Sequence, residues 1–426
     1  MRLKKPIQLD GRTGEGGGQL VRIACALAAV TSQPIRISHV RGNRGGKRGG
    51  GLKAQHVAAI QWLADVTAAE VDGIAVGSHT IEFRPSLPPT ALQQRKFSIT
   101  AGSSASSTLL IFQGVLPYLL FAGNENGDPV ELEINGGTNC SFSLSYEYLD
   151  QVLLPTLQDM FGVHVERQLK KRHWAVGPLR NGSISLKIHP LPPGQSLKPQ
   201  QPWDRPITTE DFNLKQIDVS IMVPLDLREH LERALVSDID RLFPDVDVRF
   251  RMFEDSGHET RMYALLVAHS ATGLRWGRDY LYDKSRKKKD LETLSSEISR
   301  KVCKDLFEEI SIRGVVDEYI QDQLVVFQAL ADGRTCFHRG AKPAHVDADG
   351  GVPSGVPDDL DGSSAATPNA RPVGRMRKDK TDDPFGEGST HTTTARWVAS
   401  ELLPTAQWFN KGSICDGAGV SFTHNS

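Results

Sequence analysis

The sequence predicts a mixed α/β (α+β) fold of three repeated βαβαββ-like units, with a small α+β domain inserted in the third. Residues 6–85 and 97–188 run through predicted strands and helices in the same order. Apolar residues recur every three or four positions in the predicted helices and alternate in the predicted strands. Because each unit leaves an apolar sheet face uncovered, we expect the units to pack together.

The third unit is interrupted. A helical pattern begins near Asp290 and another covers 318–331, whereas residues 190–283 before them read as strand, helix, strand and strand. We therefore predict a small α+β domain at 190–283 inside the third unit. The predicted large domain consists of residues 1–189 for the first two units, and 284–339 with 387–426 for the third.

Residues 340–386 differ from the rest of the chain in composition. They are rich in glycine, proline, aspartate, serine and alanine. Such a segment does not bury enough apolar surface to offset the entropy of ordering it. We predict a disordered insertion here, followed by a helical pattern that resumes after Ser389.

Composition excludes several classes of protein. Apolar residues make up 39% and charged residues 24%, which is ordinary for a globular protein, and the net charge of −1 gives no support for nucleic-acid binding. No run approaches ~18 apolar residues, so we expect no membrane span. The first residues lack the apolar core of a signal peptide, so a cytosolic or nuclear protein is expected. Five cysteines without a CxxC pair predict neither a disulfide framework nor a cysteine-based zinc site.

A glycine-rich turn, Gly14-Glu15-Gly16-Gly17-Gly18-Gln19, joins the first predicted strand to the first helix. Glycines let backbone N–H groups approach a phosphate, and a helix N-terminus favours negative charge. Glu15, Gln19 and Arg22 are spaced to project from one side of the helix. A carboxylate, an amide and a guanidinium suit a metal-bound phosphate, although a tight turn with a solvated arginine explains the same residues.

A basic, glycine-rich loop leads into the second predicted helix. Guanidinium groups bind phosphate oxygens in pairs, so this loop is a candidate for gripping RNA or a nucleotide. A solvated flexible loop and a half-buried histidine are the alternative interpretation. The polar residues of the loop and helix start are Arg41, Arg44, Lys47, Arg48, Gln55 and His56.

Two candidate segments lie late in the chain. Tyr319, Asp322 and Gln323 share one face of a predicted helix, where a ring, a carboxylate and an amide can hold a purine. His391 stands among serine and threonine residues that are typical of a helix start. The alternatives are the polar stripe of an amphipathic helix and an exposed histidine beside capping hydroxyls.

Taken together, these blocks resemble the RNA 3′-terminal phosphate cyclase family, in its catalytic branch. The blocks occur in the family's order and cover nearly the whole chain outside 340–386. They are Leu9-Asp10-Gly11, Gly14 to Arg22, Arg41 to His56, Ala101-Gly102-Ser103 with Gln113, Gly136-Gly137-Thr138, Val316 to Leu324, and Thr390 to Ala395.

The resemblance implies an ATP-dependent, nucleotidyl-transferring ligase. In the implied reaction, His391 takes AMP from ATP, the RNA 3′-phosphate takes the AMP, and the vicinal 2′-OH closes a 2′,3′-cyclic phosphate. Glu15 would place Mg²⁺ or Mn²⁺. The ATP site would contain Gln113, Tyr319, Ile320, Gln321, Asp322 and Gln323. The residues that bind phosphate groups and RNA would be Gln19, Arg22, Arg41, Arg44, Gln55 and His56.

Three segments depart from the family pattern. The loop from Arg44 to Leu52 is longer and lacks a proline, residues 138–144 lack an aspartate and prolines, and residues 172–182 lack a triple glycine. The resemblance implies that residues 138–144 form one wall of the adenine pocket, so we expect this wall to differ from that of the family.

Two other functions remain open from the sequence. Cyclase-like ribosome-biogenesis proteins keep this fold without catalysis, but they typically lack the histidine and the intact glycine turn. Enolpyruvyl-transferases share the repeated unit, but the basic loop and the Thr-His-Thr block argue against them. The run Lys284–Lys289 fits a nuclear-import signal, an RNA contact or a solvated charge run. We expect a nuclear or cytoplasmic protein that is not secreted.

Overall fold

The structure is a computed structural model that describes residues 4–45, 49–103, 106–174, 182–200, 208–282, 290–340 and 376–423. Its first unit folds in the predicted order of strands and helices. The elements are β1 (Ile7–Asp10), α1 (Gly18–Thr31), β2 (Ile35–Ser38), α2 (Ala54–Thr67), β3 (Glu70–Asp72) and β4 (Ile81–Arg84). The four strands form one sheet in the order β1-β2-β4-β3, in which only the β1–β2 pair is parallel.

The second unit repeats this arrangement. Its sheet has the order β5-β6-β8-β7, again with one parallel pair followed by two antiparallel pairs, which confirms the predicted repeat. Its second helix passes through one π-helical segment, Leu149–Leu153. The elements are β5 (Lys96–Thr100), α3 (Thr108–Leu120), β6 (Val130–Gly136), α4 (Tyr146–Tyr148), α5 (Leu154–Phe161), β7 (His164–Lys171) and β8 (Gly182–His189).

The inserted segment forms its own mixed sheet, in the order β10-β9-β11-β12. Its elements are β9 (Leu214–Val223), α6 (Arg228–Leu242), β10 (Asp247–Asp255), β11 (Met262–Ser270) and β12 (Arg275–Tyr282). Our sequence prediction missed β12, because Arg278 and Asp279 interrupt its apolar pattern and are satisfied by partners from distant parts of the chain. Helix α7 (Leu291–Ser311) packs against α6, β11 and β12. The domain boundary between residues 283 and 284 stays a prediction. Helix α7 follows that boundary in the sequence, yet it packs on the sheet of the inserted segment.

The third unit contains α8 (Glu318–Leu330), β13 (Arg334–Cys336), α9 (Thr390–Leu402), β14 (Gln407–Phe409) and β15 (Ile414–Asp416). Its strand order, β13-β15-β14, corresponds to β2-β4-β3 of the first unit. These strands have only three residues each, too few to show alternation in the sequence.

The end of the predicted disordered insertion is ordered. Residues 376–386 lie within the described part of the chain, where Asp379 accepts backbone hydrogen bonds from Lys411 (2.9 Å) and Gly412 (2.6 Å). The ring of Phe385 packs edge-on against Trp408, with centroids 6.0 Å apart. These long-range contacts provide the burial that the local composition lacks. Residues 341–375, the run Lys284–Lys289, Lys47 with Arg48, and residues 175–181 lie outside the described residues.

The helices of the three units pack on one another. Helix α1 contacts α2, α3 and α9, and α8 contacts α9 and α3. From Gln19 to Val30 every α1 residue except Arg22 is buried. This packing brings the N-termini of α1 and α9 together, although they lie at opposite ends of the sequence. None of the helices in the described ranges has the length and hydropathy that crossing a membrane requires.

Candidate active site

The glycine turn and the start of α9 are in direct contact. The backbone N–H of Glu15 donates to Oγ1 of Thr394 at 2.9 Å, and that hydroxyl donates to the carbonyl of Thr390 at 2.6 Å. Gly14 has a φ of +64°, and a Cβ at this position would collide with Thr394. The glycine therefore permits both the left-handed turn and the close approach of α9.

Ser389 caps α9 as the sequence indicated. Its Oγ accepts a hydrogen bond from the backbone N–H of Thr392 at 3.2 Å. His391 consequently lies in the first turn of α9, at the end of the helix where the dipole favours negative charge. The N-cap of α1, Gly17, has no side chain to cap its helix, so backbone N–H groups there remain available to an anion.

Gln19 connects His391 to Asp322. Its side-chain amide nitrogen donates to Oδ2 of Asp322, and its oxygen lies 2.9 Å from Nδ1 of His391. Since the amide oxygen can only accept, Nδ1 must carry the proton, and Nε2 of the neutral ring keeps its lone pair. The other carboxylate oxygen of Asp322 accepts from Gln323 at 2.9 Å. Gln19 thereby fixes which imidazole nitrogen is free to act as a nucleophile.

The electrostatics keep this imidazole neutral. Burial lowers the pKa of His391, helped by Arg22 and Arg44, while Asp322 partly opposes the shift. Burial also raises the pKa of Asp322 to about 6, against the lowering effects of its hydrogen bonds and of His391 and Arg22. At neutral pH the ring is uncharged and the carboxylate is ionised, as the hydrogen-bond directions require.

Arg22 and His56 meet at the first turn of α1. A Cβ at Gly18 would collide with Nε2 of His56 and lie 3.2 Å from Nη1 of Arg22. The backbone N–H of Lys53 donates to Nδ1 of His56 at 3.1 Å, so the proton of the neutral ring is on Nε2. Burial and the nearby cations hold the pKa of His56 well below its usual value. The site therefore presents an N–H donor and a guanidinium beside a free helix N-terminus.

Arg22 is half-buried, and its guanidinium makes no direct ion pair with a carboxylate in the described part of the chain, although the charge of Asp322 acts on it. Burial lowers its pKa to about 10, so it stays protonated at neutral pH. A cation that is partly withdrawn from water and lacks a direct partner is costly to a folded protein. A bound phosphate supplies the missing negative charge.

Glu15 provides a buried carboxylate next to this site. Its side chain is only 6% exposed, Oε1 contacts the guanidinium of Arg44, and Oε2 has no partner among the described residues. The guanidinium of Arg44, which is half-exposed, makes an ion pair with it. A buried carboxylate with free lone pairs at the edge of a phosphate site fits a hard divalent cation such as Mg²⁺ or Mn²⁺.

The basic loop is attached to the glycine turn by Asn43 and is shaped by Arg41. The Asn43 amide donates to the carbonyl of Arg12 at 2.6 Å. Arg41 has a φ of +55°, and its Nη1 donates to the carbonyl of Gly51 at 3.2 Å. Gln55 is half-buried at the start of α2. The structure thus brings Arg44 to Glu15 of the glycine turn and places Arg41 where its charge acts on Arg22, but Gln55 forms no hydrogen bond with His391.

A cavity of about 560 Å³ opens onto His391, a volume within the usual range for small-molecule sites. The predicted residues that line it are Arg22, Gln113, Tyr319, Asp322, Gln323 and His391. Ile320 is buried in the core and Gln321 lies against Gly388, and neither lines the cavity. Oε1 of Gln113 is buried without a hydrogen-bond partner in the described residues. It is therefore an acceptor available to a ligand.

Two aromatic side chains are exposed inside this cavity. Phe142, on the segment that departs from the family pattern, is 55% exposed, and Tyr319 is 42% exposed. One face of the Tyr319 ring is covered by the guanidinium of Arg278 at 4.2 Å. Exposed rings of this size indicate a binding surface, because their solvation is unfavourable in the free protein.

The inserted domain contributes residues that the sequence did not indicate. Asp279 on β12 lines the cavity and accepts a hydrogen bond from the hydroxyl of Tyr263 at 3.0 Å. The Tyr263 hydroxyl also lies 2.5 Å from Oγ of Ser145. Burial raises the pKa of Asp279 to about 6. No local motif announces these residues, since they reach the cavity only through the pairing of β11 with β12.

Comparisons with known proteins point to one family. A family model described as RNA 3′-terminal phosphate cyclase matches residues 13–348. Proteins of that name from Drosophila melanogaster (29% identity), Thermococcus onnurineus (30%) and Nostoc punctiforme (29%) align over 81%, 77% and 80% of this chain. The alignments cover 89%, 87% and 91% of those proteins. The family match ends before His391, so the position of that residue rests on the geometry described above.

Proposed function

Because the chain belongs to the RNA 3′-terminal phosphate cyclase family, we propose that it converts an RNA 3′-terminal phosphate to a 2′,3′-cyclic phosphate, using ATP and a covalent histidine–AMP intermediate. The observation that carries this proposal is the hydrogen bond between Nδ1 of His391 and Gln19. It leaves Nε2 unprotonated at the mouth of a cavity large enough for a nucleotide.

The first step is the attack of Nε2 of His391 on the α-phosphorus of ATP. An N–P bond forms, the bond from the α-phosphorus to the bridging oxygen breaks, and pyrophosphate leaves. The ring becomes positively charged as this bond forms, and the ionised Asp322 stabilises that charge through Gln19. As in the catalytic triad of serine hydrolases, a carboxylate orients an imidazole and stabilises its positive charge, but here an amide lies between the two groups.

Two transfers complete the reaction. A phosphate oxygen of the RNA end attacks the α-phosphorus, the N–P bond breaks, and His391 returns to its neutral form. The 2′-OH of the same nucleotide then attacks its own 3′-phosphorus, losing its proton, and AMP leaves. Both steps bring anions together, which requires fixed positive charge. Arg22, Arg41 and Arg44 supply that charge in the proposal.

A divalent cation fits beside Glu15. When bound, it would neutralise charge on the triphosphate and polarise its oxygens. Glu15 would hold it, and Arg44 would be released from its ion pair to meet a phosphate. The buried carboxylate, whose Oε2 has no partner among the described residues, supports this assignment.

The base of ATP would occupy the cavity between Phe142 and Tyr319. Both rings are exposed, and Gln113 and Asp279 offer acceptors that suit an exocyclic amine. Residues 138–144 lack the prolines that form one wall of the adenine pocket in the family. Phe142 would form that wall in this protein. The proposal of a nuclear location rests only on the basic run Lys284–Lys289, which lies outside the described residues.

A non-catalytic, cyclase-like ribosome-biogenesis protein is the alternative. The neutral His391 ring, held by Gln19, which is itself bonded to Asp322, argues against it, since a non-catalytic protein has no need to bury Asp322 at the cost of a raised pKa.

Covalent labelling tests the proposal directly. The protein incubated with α-labelled ATP and a divalent cation should take up acid-labile label, and His391→Ala should take up none. His258→Ala is the matched control, because His258 is partly buried and bonds Thr260 away from the cavity. Conversion of a 3′-phosphate RNA to a phosphatase-resistant end measures the whole reaction. A wild-type protein that takes no label and leaves the RNA unchanged, yet binds ATP, would rule out the catalytic reading.

A further inference from the structure

A second cluster of ligating side chains lies on the second unit, on the solvent face of β7 and β8. His164 and Glu166 are two residues apart on β7, so their side chains leave the same face of the sheet. His189 on β8 is paired directly with His164 in the antiparallel register. Val165 and Ile188, their chain neighbours, point into the core. The strand pairing therefore holds two imidazoles and one carboxylate side by side.

The three side chains are close enough to share one ion. Nε2 of His189 lies 2.9 Å from Oε1 of Glu166, and the His164 and His189 ring centroids are 4.7 Å apart. One ligand atom from each residue lies within 4.8 Å of the others. Zinc bonds to nitrogen and oxygen ligands are about 2.0–2.2 Å long, which places neighbouring ligand atoms of a tetrahedron about 3.3–3.6 Å apart. Forming the site therefore requires ligand atoms now within 4.8 Å of one another to approach by no more than about 1.5 Å.

The ligand types select the class of metal. Two imidazoles with one carboxylate suit zinc and similar transition ions, whereas magnesium and calcium prefer oxygen ligands alone. The cluster therefore differs in kind from the carboxylate site at Glu15. Lys187 makes an ion pair with Glu166 at 2.9 Å and is the group that a metal ion would have to displace. Because that pair is exposed, it is a weak competitor.

We propose that His164, Glu166 and His189 bind a divalent transition-metal ion of the zinc class, with water in the remaining position. The ion would join β7, which pairs only with β8 in the described part of the chain, to the rest of its sheet. The expected consequence is a metal-dependent gain in the stability of the second unit. This site is independent of the cyclase reaction proposed above.

Metal titration of the full chain tests the site. The metal-free wild-type protein should bind Zn²⁺ in a calorimetric titration performed with excess Mg²⁺, which fills oxygen-ligand sites. It should also give the visible absorption of four- or five-coordinate Co²⁺. His164→Ala and His189→Ala should each weaken Zn²⁺ binding by about tenfold or more, since even a supporting residue of a metal site contributes that much. Lys187→Gln should tighten it.

His230→Ala is the matched control. His230 also pairs with an exposed glutamate, Glu292, at 2.8 Å, but it is not part of a three-ligand cluster. This variant should retain wild-type Zn²⁺ affinity and the zinc-dependent rise in melting temperature. Circular dichroism confirms that each variant is folded. Absence of Zn²⁺ binding in the wild type, or binding that survives His164→Ala and His189→Ala unchanged, would overturn the proposal.

Discussion

The side-chain amide of Gln19 donates to a carboxylate oxygen of Asp322, a residue 303 positions away in the chain. This contact joins the first turn of α1 to α8 and leaves the Gln19 oxygen facing His391. The amide has a definite direction here, because a carboxylate only accepts. Its direction fixes the tautomer of the histidine, so an electrostatic property of the site depends on one buried glutamine.

Replacing Gln19 tests this role. Gln19→Leu keeps the volume of the side chain but removes both hydrogen bonds. The rate of histidine adenylation should fall by about 10²-fold or more, because the imidazole loses its fixed tautomer and its link to the carboxylate. The affinity for ATP should change little. Single-turnover labelling with α-labelled ATP, measured over a range of ATP concentrations, separates the two effects.

Gln328→Leu provides the control for that variant. Gln328 is equally buried and also donates a side-chain hydrogen bond, to Thr335 at 2.8 Å, but it does not line the cavity. The Gln328→Leu substitution should reduce the stability of the protein without changing the adenylation rate. Equal rate losses in both variants would show that Gln19 acts only through stability.

Asp322 should make the stability of the protein depend on pH. Its pKa is raised from 3.8 to about 6 by burial, so the folded state holds a proton that the unfolded state has released between these values. The contribution of this group to stability is therefore greatest near pH 4 and declines as the pH rises to about 6. Between about pH 4 and pH 8 the wild type should lose roughly 1–3 kcal/mol of unfolding free energy that Asp322→Asn does not lose. Urea titrations of both proteins over this pH range measure the difference.

The same carboxylate gives the reaction a pH dependence. Below about pH 6, Asp322 becomes protonated and no longer stabilises a positive imidazole. Wild-type adenylation should therefore decline as the pH falls through this value. In Asp322→Asn the rate should be lower at neutral pH, and the step near pH 6 should be absent from the pH–rate profile. A step that persists in this variant would assign it to another group, either His391 itself, whose protonation blocks the nucleophile, or Asp279, because burial raises its pKa to about 6 as well.

Glu15→Gln should separate cation binding from protein folding. The substitution keeps the size of the side chain and removes the charge that pairs with Arg44. Binding of Mn²⁺ in the presence of ATP, followed by electron paramagnetic resonance, should weaken by at least about tenfold. Adenylation should fall in parallel, while the melting temperature changes little. Asp10→Asn, which removes a carboxylate that pairs with Arg12 near the same turn, should leave Mn²⁺ binding unchanged.

Phe142 should contribute to the affinity for ATP. Removal of a stacking ring costs about 1–3 kcal/mol per base, so Phe142→Ala should raise the apparent dissociation constant for ATP roughly 5- to 150-fold. Tyr319→Ala should have a similar effect. Phe250→Ala is the control, since Phe250 is 41% exposed on β10 and is not among the residues lining the cavity. An unchanged affinity in Phe142→Ala would exclude this ring from the base site.

The predictions from the sequence were accurate where the chemistry is local. The two complete βαβαββ units, the glycine turn and the cap of α9 follow from periodicity, glycine content and hydroxyl placement, which neighbouring residues determine. The order of strands in the third unit and the ordered residues 376–386 were not predictable in this way. Their stability comes from partners such as Trp408, which local composition does not reveal.

The sequence by itself determined the candidate groups: a carboxylate, an amide and an arginine after the glycine turn, a Tyr-x-x-Asp-Gln helix and a late histidine. Only the tertiary structure decided that Gln19 lies between His391 and Asp322, that Ile320 faces the core, and that β12 brings Asp279 to the cavity. The reason is physical. Side-chain type follows from the sequence, whereas protonation, tautomer and charge depend on burial and on neighbours that only folding brings together.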